Sequence, residues 1–233
     1  MNFSYYEVYI NALRAFSGMG FPYGADEDAA FIIAWLELNN LYGVKLLINT
    51  INKIDKKYDG KIKLSKKKLV IDLKKKSVLM KGPGLIDYFS SIIDKEKRIE
   101  IVINNCEEPI YFLPLLFKIT NKVLFSHLIY VKNKKENFFY SIKKNSVKIG
   151  SNSNFEKLKK NQVKIIISKK SDSLKLEKFK QEITNHTIQN NLSKSLKPNS
   201  RYWKTLEKIA QRSYVPESLE SRLKGAGAKN DND

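Results

Sequence analysis

The side chains best equipped for chemistry gather in "INNCEEP" (103–109), at the end of a strongly apolar run. Asn104 and Asn105 offer amides, Glu107 and Glu108 offer carboxylates, and Cys106 stands between the pairs. Polar groups leaving a buried strand sit on a rigid support with an open end, a good place to orient a small substrate or bind a metal. No histidine lies near enough in sequence to activate the thiol, and turn chemistry alone also accounts for Asn-Asn. A second cluster, "YGADED" (23–28), brings Tyr23 and Gly24 to Asp26, Glu27 and Asp28. Acids at a helix start satisfy caps and the helix dipole, while paired carboxylates can also move protons. A third stretch, "KGPGL" (81–85), could turn backbone N–H groups toward an anion. It lacks the phosphate-loop ending and the dinucleotide spacing, so a strand-to-helix turn is the plainer reading. His127 and His186 have no ligand-spaced partners, and with Cys106 they are too few for a zinc site built mainly from them.

The elements that must position these groups follow from periodicity. Ser4 with Glu7 predicts a capping box opening a helix over 4–17. "GMGFPYG" (18–24) breaks the chain, and "ADEDAAFIIAWLELNN" predicts a helix apolar on nearly every side and therefore buried. "LYGVKLLINTINKI" continues as a third helix. From residue 60 the pattern shortens: "KIKL", "KLVIDL" and "SVLM" read as strands between lysine clusters, and "RIEIVINN" as the strongest strand. "EEPIYFLPLLFKITNK" predicts a late-starting helix with Pro114 in its first turn. "HLIYV", "NFFYSIKK", "SVKIG" and "VKIIIS" read as a meander, and "LKLEKFKQEITNHTIQNNLSKSL" as a weak helix. "RYWKTLEKIAQRSY" comes next as an amphipathic helix burying Trp203. Helices, then closely spaced strands, then helices imply an α+β fold, with helical N- and C-terminal segments on a central, largely antiparallel sheet. The expected organisation is a single domain, 1–233, with a helical part over 1–58, a mixed sheet over 60–170 and a helical part over 172–233.

Composition bounds the partners. The net charge of +19 invites a polyanion, yet it comes from 38 lysines and five arginines. Arginine's fork is what base edges and bidentate phosphate contacts favour, so dispersed lysines in a compositionally biased chain argue against nucleic acid. No apolar run approaches the roughly 18 residues of a membrane span, and the N-terminus is amphipathic rather than a signal-peptide core. One cysteine allows no internal disulfide and fits a reducing cytoplasm.

Two segments carry a resemblance. "ALRAFSGMGFPYGADEDAAFIIAWL" (12–36) and "LEKIAQRSYVPESLESRLKGAGAKNDND" (206–233) resemble an uncharacterised bacterial family, a domain of unknown function. Its N-terminal pattern runs through Gly-x-Gly, a Tyr- or Trp-Gly step, an acidic pair and Trp-Leu; its C-terminal pattern runs from Ser-Arg through Gly-Ala-Gly-Ala to Asp-Asn-Asp. This chain departs from it at Asp28, at Ala30 and around Lys229-Asn230. The resemblance brings no activity, but it implies that the tail is a docked segment, with Arg222 as anchor, Gly225 and Gly227 permitting close approach, and Asp231 and Asp233 supplying charge.

These readings converge on a cytoplasmic small-molecule-binding protein or enzyme of intermediary metabolism. Its expected ligand site takes Tyr23, Gly24 and Glu27 from the first turn, Asn104, Asn105 and Glu107 from the strand end, and Arg222, Gly225, Gly227, Asp231 and Asp233 from the tail. Two alternatives stand beside it: an accessory subunit docking through its tail onto a protein partner or a second copy, and a basic nucleic-acid binder. No residue pattern identifies a cofactor or a metal.

Overall fold

The structure is a computed structural model that describes residues 2–62, 69–93, 95–133, 136–151, 158–170 and 178–214. The tail residues Arg222, Gly225, Gly227, Asp231 and Asp233, and the second half of "KIKL", lie outside the described residues.

The N-terminal helices form where capping and periodicity place them. In α1 (Tyr5–Gly18), Ser4 Oγ accepts the Glu7 N–H and Glu7 Oε2 accepts the Ser4 N–H, closing the capping box. The next helix, α2 (Ala25–Leu38), is buried through Ala29, Ala30, Ile32, Ile33, Ala34, Trp35, Leu36 and Leu38. It packs against α1, α3 (Gly43–Ile54), α4 (Val78–Ile92) and α5 (Phe112–Lys118), which is why it has no polar face. At the other end of the chain α7 (Ser200–Ala210), capped by Asn199, lies on α1 and α3 and buries Trp203 against the ring of Phe3, 3.8 Å away. Both tryptophans are therefore core residues, as their helical faces predict.

Among the described residues seven strands make one sheet in the order β1-β2-β6-β3-β4-β5-β7. β1 (Val70–Asp72) and β2 (Arg98–Asn104) are parallel and joined by the crossover helix α4; every other pairing is antiparallel. β3 (Phe125–Asn133), β4 (Glu136–Lys143) and β5 (Ser146–Ser151) form the expected meander. One face of the sheet, including Ile101, Ile165, Leu128, Tyr140 and Ile149, shares a single apolar cluster with the helices. The opposite face carries a smaller cluster of Ile129, Phe139 and Ile166.

Three local expectations are corrected. β6 (Val163–Ser168) does not extend the meander but inserts between β2 and β3. Its consecutive Ile165, Ile166 and Ile167 are all buried, a pattern that only a central strand covered on both faces can satisfy. "SVLM" is the first turn of α4, not a strand, because Ser77 Oγ caps the Leu79 N–H, and the helix continues through Gly82-Pro83-Gly84. Gly82 is there for packing: a Cβ would come within 2.7 Å of Val78 Cγ1 and 3.1 Å of Leu115 Cδ1. Finally, residues 178–184 are the edge strand β7 (Lys178–Thr184), paired to β5, and only Asn185–Leu192 is helical (α6), started by the Thr184 cap.

Candidate functional site

A cavity of about 480 Å³ opens where β2 ends, in the size range of small-molecule sites. Four segments build it, the turn at Asn161–Gln162 before β6 adding to the three that follow. The first is the end of β2 itself: Asn105, in the left-handed region at φ 52, stops the strand, and the Cys106 N–H donates to the Asn161 carbonyl at 2.9 Å. Cys106, Glu107, Glu108, Pro109 and Ile110 then form one wall. The second is the α2–α3 turn, which contributes Asn40, Leu41 and Tyr42, with Leu46 behind it. The third is the sheet, where Tyr130 of β3 and Phe138 and Tyr140 of β4 present three nearly parallel rings. Their planes differ by 14–19° and their centroids lie 5.2–6.3 Å apart.

Left-handed backbone concentrates around this cavity. Asn40 (φ 59), Tyr42 (φ 55) and Asn161 (φ 61) line it, and Asn105 precedes Cys106. Asparagine tolerates this region, but a tyrosine there costs about 1–2 kcal/mol. Tyr42 is held in place by its C-terminal neighbour. At Gly43 any Cβ would stand 2.1 Å from the Ile33 carbonyl oxygen, so α3 starts directly on the α2 backbone. Such strain is characteristic of ligand-contacting segments.

The polar groups of the site are unequally satisfied. Lys53 Nζ donates to Glu107 Oε2 at 2.5 Å and to Glu108 Oε1 at 2.8 Å. That first bond holds the Glu107 carboxyl below its ordinary range. Glu108 Oε2, by contrast, is buried and accepts no hydrogen bond. The Tyr130 and Tyr140 hydroxyls pair at 3.2 Å; burial pushes the Tyr140 phenol up to about 12 and that of Tyr130 well above its usual value. Burial likewise raises the Cys106 thiol far above the range in which it forms a nucleophilic thiolate. The arrangement can therefore enclose and orient a ligand, while none of these phenols or the thiol is poised to take a proton near neutrality.

The sequence-predicted residues divide between places. Glu107 lines the cavity directly. Asn104 supports it at one remove, its Oδ1 accepting from Gln162 Nε2 at 2.9 Å, whereas Asn105 turns to Asp72 at 2.8 Å. Tyr23, Gly24 and Glu27 line neither this cavity nor the three other well-formed ones. Tyr23 is almost fully exposed, and Gly24 (φ 84) is the cap residue of α2. His127 is buried on the opposite face of the sheet, stacked on Phe139, and His186 lies on α6 beside Asn190. Sequence reasoning missed Tyr42, Tyr130, Phe138, Tyr140 and Lys53. The spacing of Phe138 and Tyr140 puts both on one strand face, but nothing local distinguishes a cavity wall from core. A second, more polar cavity of about 700 Å³ adjoins the same turn and shares Asn40 and Tyr42. It is lined by Lys45, Lys194, Lys197 and Glu37, whose carboxyl is raised by burial against the opposing effect of the Val44 N–H. Among the described residues no group of three or more His, Cys, Asp or Glu could hold a metal ion, and no helix is long and apolar enough to cross a membrane.

Residues 3–75, which span α1 to β1, match a family described as a protein of unknown function (DUF3726). No curated protein matches the chain in sequence. The fold nevertheless has solved counterparts. A malate dehydrogenase from Pyrococcus horikoshii OT3 superposes with a TM-score of 0.64 at 10% identity, over 94% of this chain and 97% of that one. A dehydrogenase from Sinorhizobium meliloti gives 0.65 at 7% identity, over 90% and 99%. A malate dehydrogenase from Entamoeba histolytica gives 0.60 at 8% identity, over 94% and 99%. At these identities the likeness is one of fold alone.

Proposed function

We propose that this chain is a small-molecule-binding protein built on a dehydrogenase-like fold, and that its ligand occupies the cavity between the β2 end, the α2–α3 turn and the Tyr130–Phe138–Tyr140 wall. The observation that carries the reading is a largely apolar space of about 480 Å³ at the end of β2, walled by Tyr130, Phe138 and Tyr140 and bordered by the left-handed residues Asn40, Tyr42 and Asn161. Binding is favoured over covalent catalysis because the chain's single thiol is buried and strongly raised.

A thermal-shift screen of ring-bearing metabolites tests this, since a ligand selective for the native state raises Tm by mass action. At least one compound should raise Tm in the unaltered protein and lose that effect in Leu46→Trp, which fills the space beneath the α2–α3 turn. A panel without any stabilising compound, or a shift that survives the filled cavity, would refute the assignment.

A further inference from the structure

Lysines beside the smaller cavities have protein counter-ions. Lys53 is held by Glu107 and Glu108, and near β1 Lys76 and Lys81 face Asp59. The polar cavity of about 700 Å³ is different. Lys45, Lys194 and Lys197 line it against one carboxylate, Glu37. None of these three lysines is paired with a carboxylate among the described residues. Glu37 Oε2 accepts the Val44 N–H at 2.9 Å instead. Three ammoniums and one carboxylate leave the lining with two positive charges in excess.

The walls are tied together by the backbone. Asn191 Nδ2 donates to the Leu38 carbonyl at 3.0 Å, joining α6 to the end of α2. Leu196, between Lys194 and Lys197, exchanges backbone hydrogen bonds of 2.6 and 2.9 Å with Phe3. Lys45 and Tyr202 stand in the first turns of α3 and α7, so the positive ends of two helices adjoin the same space. Ser195, Asn199 and Tyr202 add neutral hydrogen-bonding groups to the lining.

We infer that this cavity is a second ligand site, separate from the apolar one, and that it takes the phosphate group of a small phosphomonoester. Such a group carries a charge of about −1.5 to −2 near neutral pH and three acceptor oxygens, which matches the excess; a carboxylate supplies only half of it. Ammonium acts on phosphate as a point charge, so a lining without arginine suits it.

Calorimetric titration of the full chain with glucose 6-phosphate, glucose and inorganic phosphate, at an ionic strength of about 150 mM, tests the site. Glucose 6-phosphate should bind, inorganic phosphate should bind more weakly, and glucose should not bind. The double variant Lys194→Gln, Lys197→Gln should weaken the ester by about tenfold or more, as loss of a charge-assisted hydrogen bond implies. Lys143→Gln, Lys144→Gln makes the same change of charge on exposed side chains at the β4–β5 turn, outside this cavity, and should leave binding unchanged. Equal losses in the two double variants would overturn the site in favour of diffuse attraction to a chain of net charge +19. Inorganic phosphate binding as tightly as the ester would overturn the ester in favour of the free ion, and glucose binding as tightly would overturn the phosphate. Absence of binding by all three would overturn the site itself. Leu46→Trp, which fills the apolar cavity, should not alter ester binding. A loss there would overturn the assignment by moving the phosphate into the apolar cavity, so the two sites can fail independently.

Discussion

The two acidic clusters at Asp26–Glu27–Asp28 and at Glu107–Glu108 look alike on paper, each beside a left-handed residue and each at the edge of an apolar element. At the start of α2 the acids are consumed by local structure. Asp26 accepts from Ser17 Oγ at 2.7 Å and from the Glu27 N–H at 2.9 Å, and Asp28 pairs with Lys118 at 3.3 Å. Tyr23, Gly24 and Glu27 line neither the cavity at the β2 end nor the three other well-formed ones. After β2, Lys53 satisfies Glu107 and half of Glu108, and the remaining oxygen is enclosed without a donor. How far a carboxylate is satisfied depends on what its neighbours supply, which residue type and spacing do not encode.

The largest expected difference between the two regions lies in their glycines. Gly43→Ala drives a Cβ into the Ile33 carbonyl at 2.1 Å, with backbone rather than a flexible side chain in the way. Denaturant unfolding should show a loss of about 3 kcal/mol, the upper end for overpacking, together with loss of ligand response at the cavity. Gly24→Ala meets no atom within 4 Å and is penalised only for φ 84, so about 1–2 kcal/mol is expected with ligand response retained. Equal losses at the two positions would mean that the α2–α3 turn does not rest on α2 as described.

A smaller contrast separates the carboxylates. Asp26→Ala deletes a twice-bonded acid at a helix start and should destabilise by about 1–2 kcal/mol. Glu108→Leu removes an acceptor that is half unsatisfied, leaves Lys53 with Glu107, and should stay within about 0.5 kcal/mol of the parent by the same measurement. A large loss at Glu108 would mean that its enclosed oxygen has a structural role.

The smallest effect is in pH. The Lys53 hydrogen bond lowers the folded-state pKa of Glu107 relative to the unfolded chain. Its contribution to stability is therefore present above the unfolded carboxylate range and is lost as pH falls through the lowered folded value. Glu107→Gln should flatten the acid limb of a Tm-against-pH curve slightly, without changing its behaviour above neutrality. An unchanged acid limb would place the Lys53–Glu107 pair among solvated contacts of no energetic weight.

Much of the local structure was written into nearest-neighbour chemistry. The Ser4–Glu7 box, the all-round apolar α2, the strand over 98–104, the late helix bearing Pro114 and the helix burying Trp203 each arise from caps, periods of 3.6 or 2, and proline geometry, which act within a few residues. The α+β class comes from their order. Where only distant partners choose, local reasoning failed or stayed silent. Gly82-Pro83-Gly84 is helical because α5 packs against Gly82, residues 178–184 are extended because β5 offers an edge, and β6 lies centrally because both its faces find cover. The candidate site is the extreme case. The sequence placed Glu107 and Asn104 at a promising strand end, but the ring wall lies farther along the chain, at Tyr130, Phe138 and Tyr140, and Tyr42 and Lys53 come from α2–α3. A cavity is the space that separate elements fail to fill, and an unbonded oxygen is a donor that none of them provides. Both are properties of the assembled packing, so the tertiary structure alone decided them.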